Sequence, residues 1–186
     1  MMKRLMIAIL FGLLPATSAW AEEKASSGFY FSLAGGSFLT EASAPLPGQR
    51  EDRSTGGFAE LGLDIAPFIG ANVRVGALDT ADLFNNTATF NTDIFISYFA
   101  KPQIPVGDRF RIYGLVGFTH LNSTVNGSIV SNGWRNDFSY GGGLEAAITD
   151  SIWIGGDWVQ YLDDEEINPG IFTSMNGVSG RLIFHY

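Results

Sequence analysis

His120, Ser123 and Asp137 are the residues whose types could carry hydrolytic or acyl-transfer chemistry, as base, nucleophile and acid. On a strand, side chains alternate faces, so a His and Ser acting from one strand face must be an even number of positions apart. These are three apart and fall on opposite faces. His120 therefore reads as a loop-edge histidine, and His185, beside the terminal aromatic, as structural. Asp163, Asp164, Glu165 and Glu166 offer four carboxylates suited to Ca²⁺ or Mg²⁺, without the fixed spacing of a calcium loop, and read as a solvated loop. Gly141-Gly142-Gly143 is followed by no Lys-Ser/Thr pair and lies inside a strand pattern, so it is no phosphate loop. Asn-x-Ser/Thr matches at Asn85, Asn122 and Asn126 mark loops. No cofactor, metal ion or catalytic site is expected.

The remaining polar candidates are charges that recur on one face of alternating segments, and the clearest such segment is 136–162. FSYGGGLEAAI and IWIGGDWVQYL flank the turn TDS, the pattern of an antiparallel hairpin. Phe138, Tyr140, Leu144, Ala146, Ile148, Ile152, Ile154, Trp158 and Leu162 share an apolar face. The other face carries Asp137, Ser139, Gly141, Gly143, Glu145, Ala147, Trp153, Gly155, Asp157 and Tyr161. Centring the turn on Asp150 sets Glu145 opposite Gly155, Asp157 opposite Gly143, and Trp158 over Gly142. Such a hairpin fits a soluble sheet with one wet side, or a membrane barrel with its oily face outward.

The chain begins with Lys3 and Arg4, an apolar run from Leu5 to Leu14, and Ala19-Trp20-Ala21. This is the form of a signal peptide over residues 1–21, with the mature barrel domain over 22–186. Without the leader, nine basic residues face nineteen acidic, a net charge of −10 that speaks against nucleic acid. The sequence contains no cysteine, so no disulfide staples this exported chain.

Six further strands follow from the same alternation. Gly28–Phe38 places Phe29, Phe31 and Leu33 on one side. Residues 55–65 set Ala59, Leu61, Leu63 and Ile65 against Glu60, Gly62 and Asp64, and residues 69–77 set Ile69, Ala71, Val73 and Val75 against Gly70, Asn72, Arg74 and Gly76. A turn centred on Pro67 puts Glu60 opposite Arg74, either a buried ion pair or a solvated surface pair. Residues 92–100 are assigned Ile94, Ile96 and Tyr98 outward, with Phe95 and Phe99 anomalous on the face that should be polar. Residues 109–119 set Phe110, Ile112, Val116 and Phe118 against Arg111, Tyr113, Gly117 and Thr119. Residues 175–186 set Val178, Leu182, Phe184 and Tyr186 against Ser179, Arg181 and His185.

Loops are expected over 39–54, 78–91, 120–135 and 163–174. The connection at Lys101–Asp108, with two prolines and a glycine, is expected to lie outside the strands too. Eight strands joined by alternating long and short connections predict an all-β, eight-stranded antiparallel up-and-down transmembrane β-barrel of a Gram-negative outer membrane. An Arg facing mid-membrane lipid costs about 2–4 kcal/mol, so Arg74, Arg111 and Arg181 must point inward with Glu60, Asp64, Glu145 and Asp157. A lumen of that size has room only for side chains, which predicts a salt-bridged plug. Tyr98, Tyr140, Trp158, Phe184 and Tyr186 are expected at the membrane interfaces.

YGGGLEAAITDSIWIGGDWVQYLD resembles the penultimate hairpin of the outer membrane protein A-like eight-stranded barrels, whose usual form is close to YGAGVEYALTDNLSLRAEYRY. GRLIFHY resembles their last strand, ending on an aromatic. The resemblance implies that Glu145 and Asp157 are inward acids and that the barrel assembly machinery reads the C-terminal strand. Gly155 and Val159 depart from the family, which often carries Arg there, and the peptidoglycan-binding domain of the archetype is missing, so no cell-wall tether is implied. The function expected is structural or interactive, in a monomer that meets outer-membrane lipid, lipopolysaccharide and an extracellular ligand not named by the sequence. A narrow pore for small solutes is the second reading, because inner-face glycines at 62, 70, 76, 117, 141, 143 and 155 leave volume. A lipid A-modifying enzyme built on His120 is the third.

Overall fold

Strands that alternate large apolar with polar or glycine residues can bury only one face, and a sheet of them closes on itself when every edge finds a partner. The computed structural model describes residues 28–43, 51–83, 88–127, 131–168 and 171–186, so the leader expected over 1–21 lies outside the described residues. The strands are β1 (Gly28–Ser43), β2 (Glu51–Ala66), β3 (Ile69–Leu78), β4 (Ala81–Leu83), β5 (Ala88–Val106), β6 (Phe110–Gly127), β7 (Ser131–Ala147), β8 (Ile152–Asn168) and β9 (Ile171–His185). Each pairs antiparallel with its neighbours in the order β3-β2-β1-β9-β8-β7-β6-β5-β4, and β3 pairs β5 to close the barrel. The short β4 keeps the register of β3 on β5, so the wall has eight strands, as the spacing predicts.

Turns at Pro67–Phe68, Gly107–Arg109 and Ile148–Ser151 sit at the same end as Gly28 and Tyr186. Gly107, at φ 63°, makes the second of them. The predicted registers hold: Glu60 faces Arg74, Glu145 faces Gly155, Asp157 faces Gly143, and Trp158 faces Gly142. Facing also follows the alternation. Phe29, Leu61 and Val178 are 71%, 66% and 60% exposed on the outer wall, while Glu60, Arg74 and Glu145 are fully buried within. Ile94, Ile96 and Tyr98 do face outward, with Phe95 and Phe99 buried inside.

Three expectations need correction. The four long loops are mostly strand: β1, β2 and β5 to β9 run 15 to 19 residues, past the ten or so that cross a membrane, and rise beyond it as paired extensions. The acidic run Asp163–Glu166 therefore lies within β8, where Asp163 is exposed. The connection at Lys101–Asp108 is also largely strand, because β5 continues to Val106. Finally, Leu162 belongs to the interior, since a register shift between Gln160 and Leu162 turns both Tyr161 and Leu162 inward.

Candidate functional site

The lumen has two layers. Toward the turn end, strand alternation from seven different strands delivers Glu60 and Asp64 (β2), Arg74 (β3), Lys101 (β5), Arg111 (β6), Glu145 (β7), Asp157 (β8) and Arg181 (β9) to one buried network. Arg74 spans Glu60 and Asp157, with Nε 2.6 Å from Glu60 Oε2 and Nη2 2.6 Å from Asp157 Oδ2. Arg181 Nη2 lies 2.8 Å from Glu145 Oε1, and its Nη1 pairs with Glu60 Oε1. Arg111 Nη1 reaches Asp64 Oδ2 at 2.9 Å and Glu145 Oε2 at 3.3 Å. Lys101 Nζ donates to Glu145 Oε1 at 2.7 Å.

Four cations thus meet four carboxylates. Ions this deeply buried are tolerated only when each has partners and its remaining lone pairs and protons are also satisfied. Hydroxyls and an amide supply part of that second set, while Arg181 Nε, 3.5 Å from Asp157 Oδ2, makes no hydrogen bond. Tyr113 donates to Asp157 Oδ2 at 3.2 Å and accepts from Arg181, Ser179 donates to Asp157, and Gln103 donates to Asp64 Oδ1 at 3.2 Å. Aromatic faces cover the cations as well: Lys101 sits 4.7 Å from the centre of the Tyr30 ring, Arg74 4.8 Å from Phe58, and Arg111 5.0 Å from Trp153.

Above the network the lumen is apolar. The Phe95 ring lies 6.4 Å from Phe38, 6.1 Å from Phe58 and 5.5 Å from Tyr161, and Leu121, Leu162 and Met175 are buried in the same cluster. The inner glycines do not leave open space. A Cβ on Gly62 would strike the Tyr30 ring, and one on Gly177 would strike Phe38, so these two glycines seat an aromatic from the next strand, whereas at Gly117 and Gly141 a Cβ would meet the backbone of the neighbouring strand.

Sequence reasoning placed Lys101 outside the strands and missed it as a lumen cation, and it missed the apolar layer. The Phe95 and Phe99 anomaly was the available signal for that layer.

The hydrolytic candidates are not brought together. His120 Nδ1 lies 2.5 Å from Asn136 Oδ1 and its ring packs edge-on to Tyr98 on the outer wall, whereas Ser123 is buried inside and accepts from Arg135 Nε at 3.0 Å. Asp137 instead accepts backbone N–H groups of Phe138 and Asp163. His185 packs between the Tyr30 and Trp153 rings near the turn end.

On the outer wall Tyr98, Tyr140 and Trp158 are exposed seven to nine residues from the turns, about 20 Å up a tilted strand, and Tyr140 stacks edge-on to Trp158. Phe184 and the fully projecting Tyr186 lie at the turn end.

Charge is distributed unevenly. The lumen is balanced, whereas the strand extensions and connections over 39–55, 78–93, 120–137 and 161–175 hold eleven acidic residues and three basic ones. Nearly all of the excess negative charge therefore sits on the rim opposite the turns.

Known structures share this fold at low identity. Neisserial surface protein A is similar with a TM-score of 0.57 and 13% identity, over 86% of this chain and 98% of that one. Ail, the attachment invasion locus protein of Yersinia pestis, gives 0.54 and 13% over 85% and 99%. The N-terminal barrel of Pseudomonas aeruginosa OprF gives 0.51 and 16% over 82% and 97%. No curated protein is significantly similar in sequence. The outer membrane protein beta-barrel domain matches residues 6–178, nearly the whole described wall, and the chain belongs to that family.

Proposed function

We propose that this protein is a plugged barrel of a Gram-negative outer membrane, with a structural and interactive role: it reinforces the membrane and displays an acidic, strand-built rim at the cell surface. The observation that carries this reading is the filled lumen, in which four cations, four carboxylates and a stack of aromatic rings leave the rim as the chemically distinctive surface. Short turns face the periplasm and the extensions face outward, following the usual asymmetry of such barrels. The signal peptide over 1–21 exports the chain, the barrel assembly machinery engages the strand ending at Tyr186, and a monomer contacts lipid and lipopolysaccharide through its outer wall. Tyr98, Tyr140 and Trp158 anchor the outer interface, and Phe184 and Tyr186 the inner one.

The rim's charge says what kind of surface it meets. A structure of Ail holds the heparin analogue sucrose octasulfate, a polyanion. A rim with eleven acidic residues against three basic repels such a ligand and favours a basic one. Cells displaying the full chain are expected to adhere to polylysine-coated glass more than cells lacking it, and no better to heparin-coated glass. Replacing Asp163, Asp164, Glu165 and Glu166 by their amides should weaken the polylysine adhesion. Equal adhesion with and without the protein would refute the interactive part. The narrow-pore reading requires a gap through both lumen layers, and the enzyme reading requires His120 and Ser123 on one face; the packing counts against each.

A further inference from the structure

The outer wall is not evenly convex. β2, β3, β5 and β6 carry Leu63, Ala71, Ala100 and Val116 in one register row, each opposite the next, and the row above holds Leu61, Val73, Tyr98 and Phe118. These side chains share the outward parity, so the lower row runs large, small, small, large across the wall. Two alanines side by side leave a groove of about 640 Å³ between the banks of Leu63 and Val116, reaching from Phe29 up to Tyr98 and Phe118. Packing inside the barrel does not ask for small residues at 71 and 100, since both face away from the lumen.

In a bilayer an unfilled apolar groove forfeits its contacts, so something lies in it. A second barrel is a poor occupant, because two convex walls meet along their ridges and leave the groove empty. A hydrocarbon chain is slender enough to enter. Polarity then orients that chain. Of the side chains lining the groove only Tyr98 and Asn72 are polar, and Asn72 is buried on the lumen side, donating to the Tyr30 hydroxyl at 3.4 Å. Tyr98 is 47% exposed, and among the described residues its hydroxyl has no hydrogen-bond partner. The opposite end abuts Phe29, whose carbonyl accepts the Tyr186 amide at the turn end. The groove is therefore an apolar pocket with one orienting polar group, placed at its upper end.

We propose that this groove holds one acyl chain of an outer-leaflet lipid, the lipid A of lipopolysaccharide. The Tyr98 hydroxyl donates to the ester carbonyl at the head of the chain, and the tail runs down over Ala100 and Ala71. This rests on the reading that the turns face the periplasm and the outer wall meets lipopolysaccharide, and it specifies where on the wall that lipid is held.

For the test, the full chain is expressed in a deep-rough strain, whose lipopolysaccharide is little more than lipid A, and extracted from outer membranes in a mild maltoside. Native mass spectrometry should find one lipopolysaccharide molecule retained per barrel, in preference to phospholipid. Ala71→Leu with Ala100→Leu fills the groove and should lower the affinity for re-added lipopolysaccharide at least about tenfold. Gly180→Leu adds a side chain to the wall on β9, where a Cβ meets nothing, and should change it little. Tyr98→Phe should weaken binding about three- to tenfold, the worth of one hydrogen bond. Heat-dependent gel mobility shows whether each variant is folded. Should the double variant not fold, Tyr98→Phe and the identity of the retained lipid decide. Phospholipid retained in place of lipopolysaccharide, or retention that neither the filled groove nor Tyr98→Phe alters, would overturn the proposal. A folded barrel recovered from outer membranes with no retained lipid refutes the groove and leaves the outer-wall reading standing, whereas a barrel absent from the outer-membrane fraction refutes both.

Discussion

Lys101 Nζ on β5 donates to Glu145 Oε1 on β7 at 2.7 Å, across the intervening β6, with both side chains wholly buried. This pair makes the lumen electrically even. Without Lys101, three arginines would face four carboxylates in a medium where an unpaired charge is strongly destabilising.

Lys101→Met should therefore destabilise the barrel by about 3–5 kcal/mol, while Lys101→Met combined with Glu145→Gln should recover a large part of that loss. Urea unfolding in lipid vesicles, followed by heat-dependent gel mobility, measures both. A single variant as stable as the parent would show that the pair does not balance the network.

Gly177 is the seat of the Phe38 ring, and Gly62 that of Tyr30. Gly177→Val forces the ring off its rotamer and should cost about 1–3 kcal/mol. Val178→Ala, next door but on the outer wall at 60% exposure, should change stability by less than that in the same unfolding assay.

Asp137 caps two amides where the β7–β8 ladder ends, those of Phe138 and Asp163. Asp137→Ala should raise the hydrogen-exchange rates of both amides by about tenfold, roughly one hydrogen bond each, with the Gly143 and Asp157 amides inside the ladder unchanged. Exchange at the old rates would mean that the Asp137 carboxylate does not protect these two amides.

His120 and Ser123 lie on opposite faces of β6. His120→Ala should leave the mass spectrum of lipid A from expressing cells identical to that with the parent protein. A changed acyl pattern that depends on His120 would restore the enzyme reading.

The parts of this fold that sequence reveals are those with lipid on one side and a polar interior on the other. There alternation is forced, and the pairings Glu60 with Arg74 and Gly142 with Trp158 follow from two turn centres alone. Above the membrane, water wets the outer face too, so the Asn, Ser and Thr-rich ends of β6 and β7 lose the apolar period and look like loops while remaining paired strands. Lys101 was hidden by its prolines. Pro102 falls where the β5–β6 ladder skips, between Ala100 and Gln103, and Pro105 lies beyond the start of β3, where no strand needs its missing N–H. Leu162 was misplaced by a bulge, which reverses facing without any mark in composition.

The central claim is that the lumen is closed, and single-channel recording on the refolded protein in a planar bilayer tests it most directly. Protein shown to be folded by circular dichroism and gel mobility should give no discrete current steps, and Arg74→Glu should lower stability and leave the bilayer silent. Reproducible steps whose size changes in Arg74→Glu would contradict the account and make the charged layer the lining of a pore.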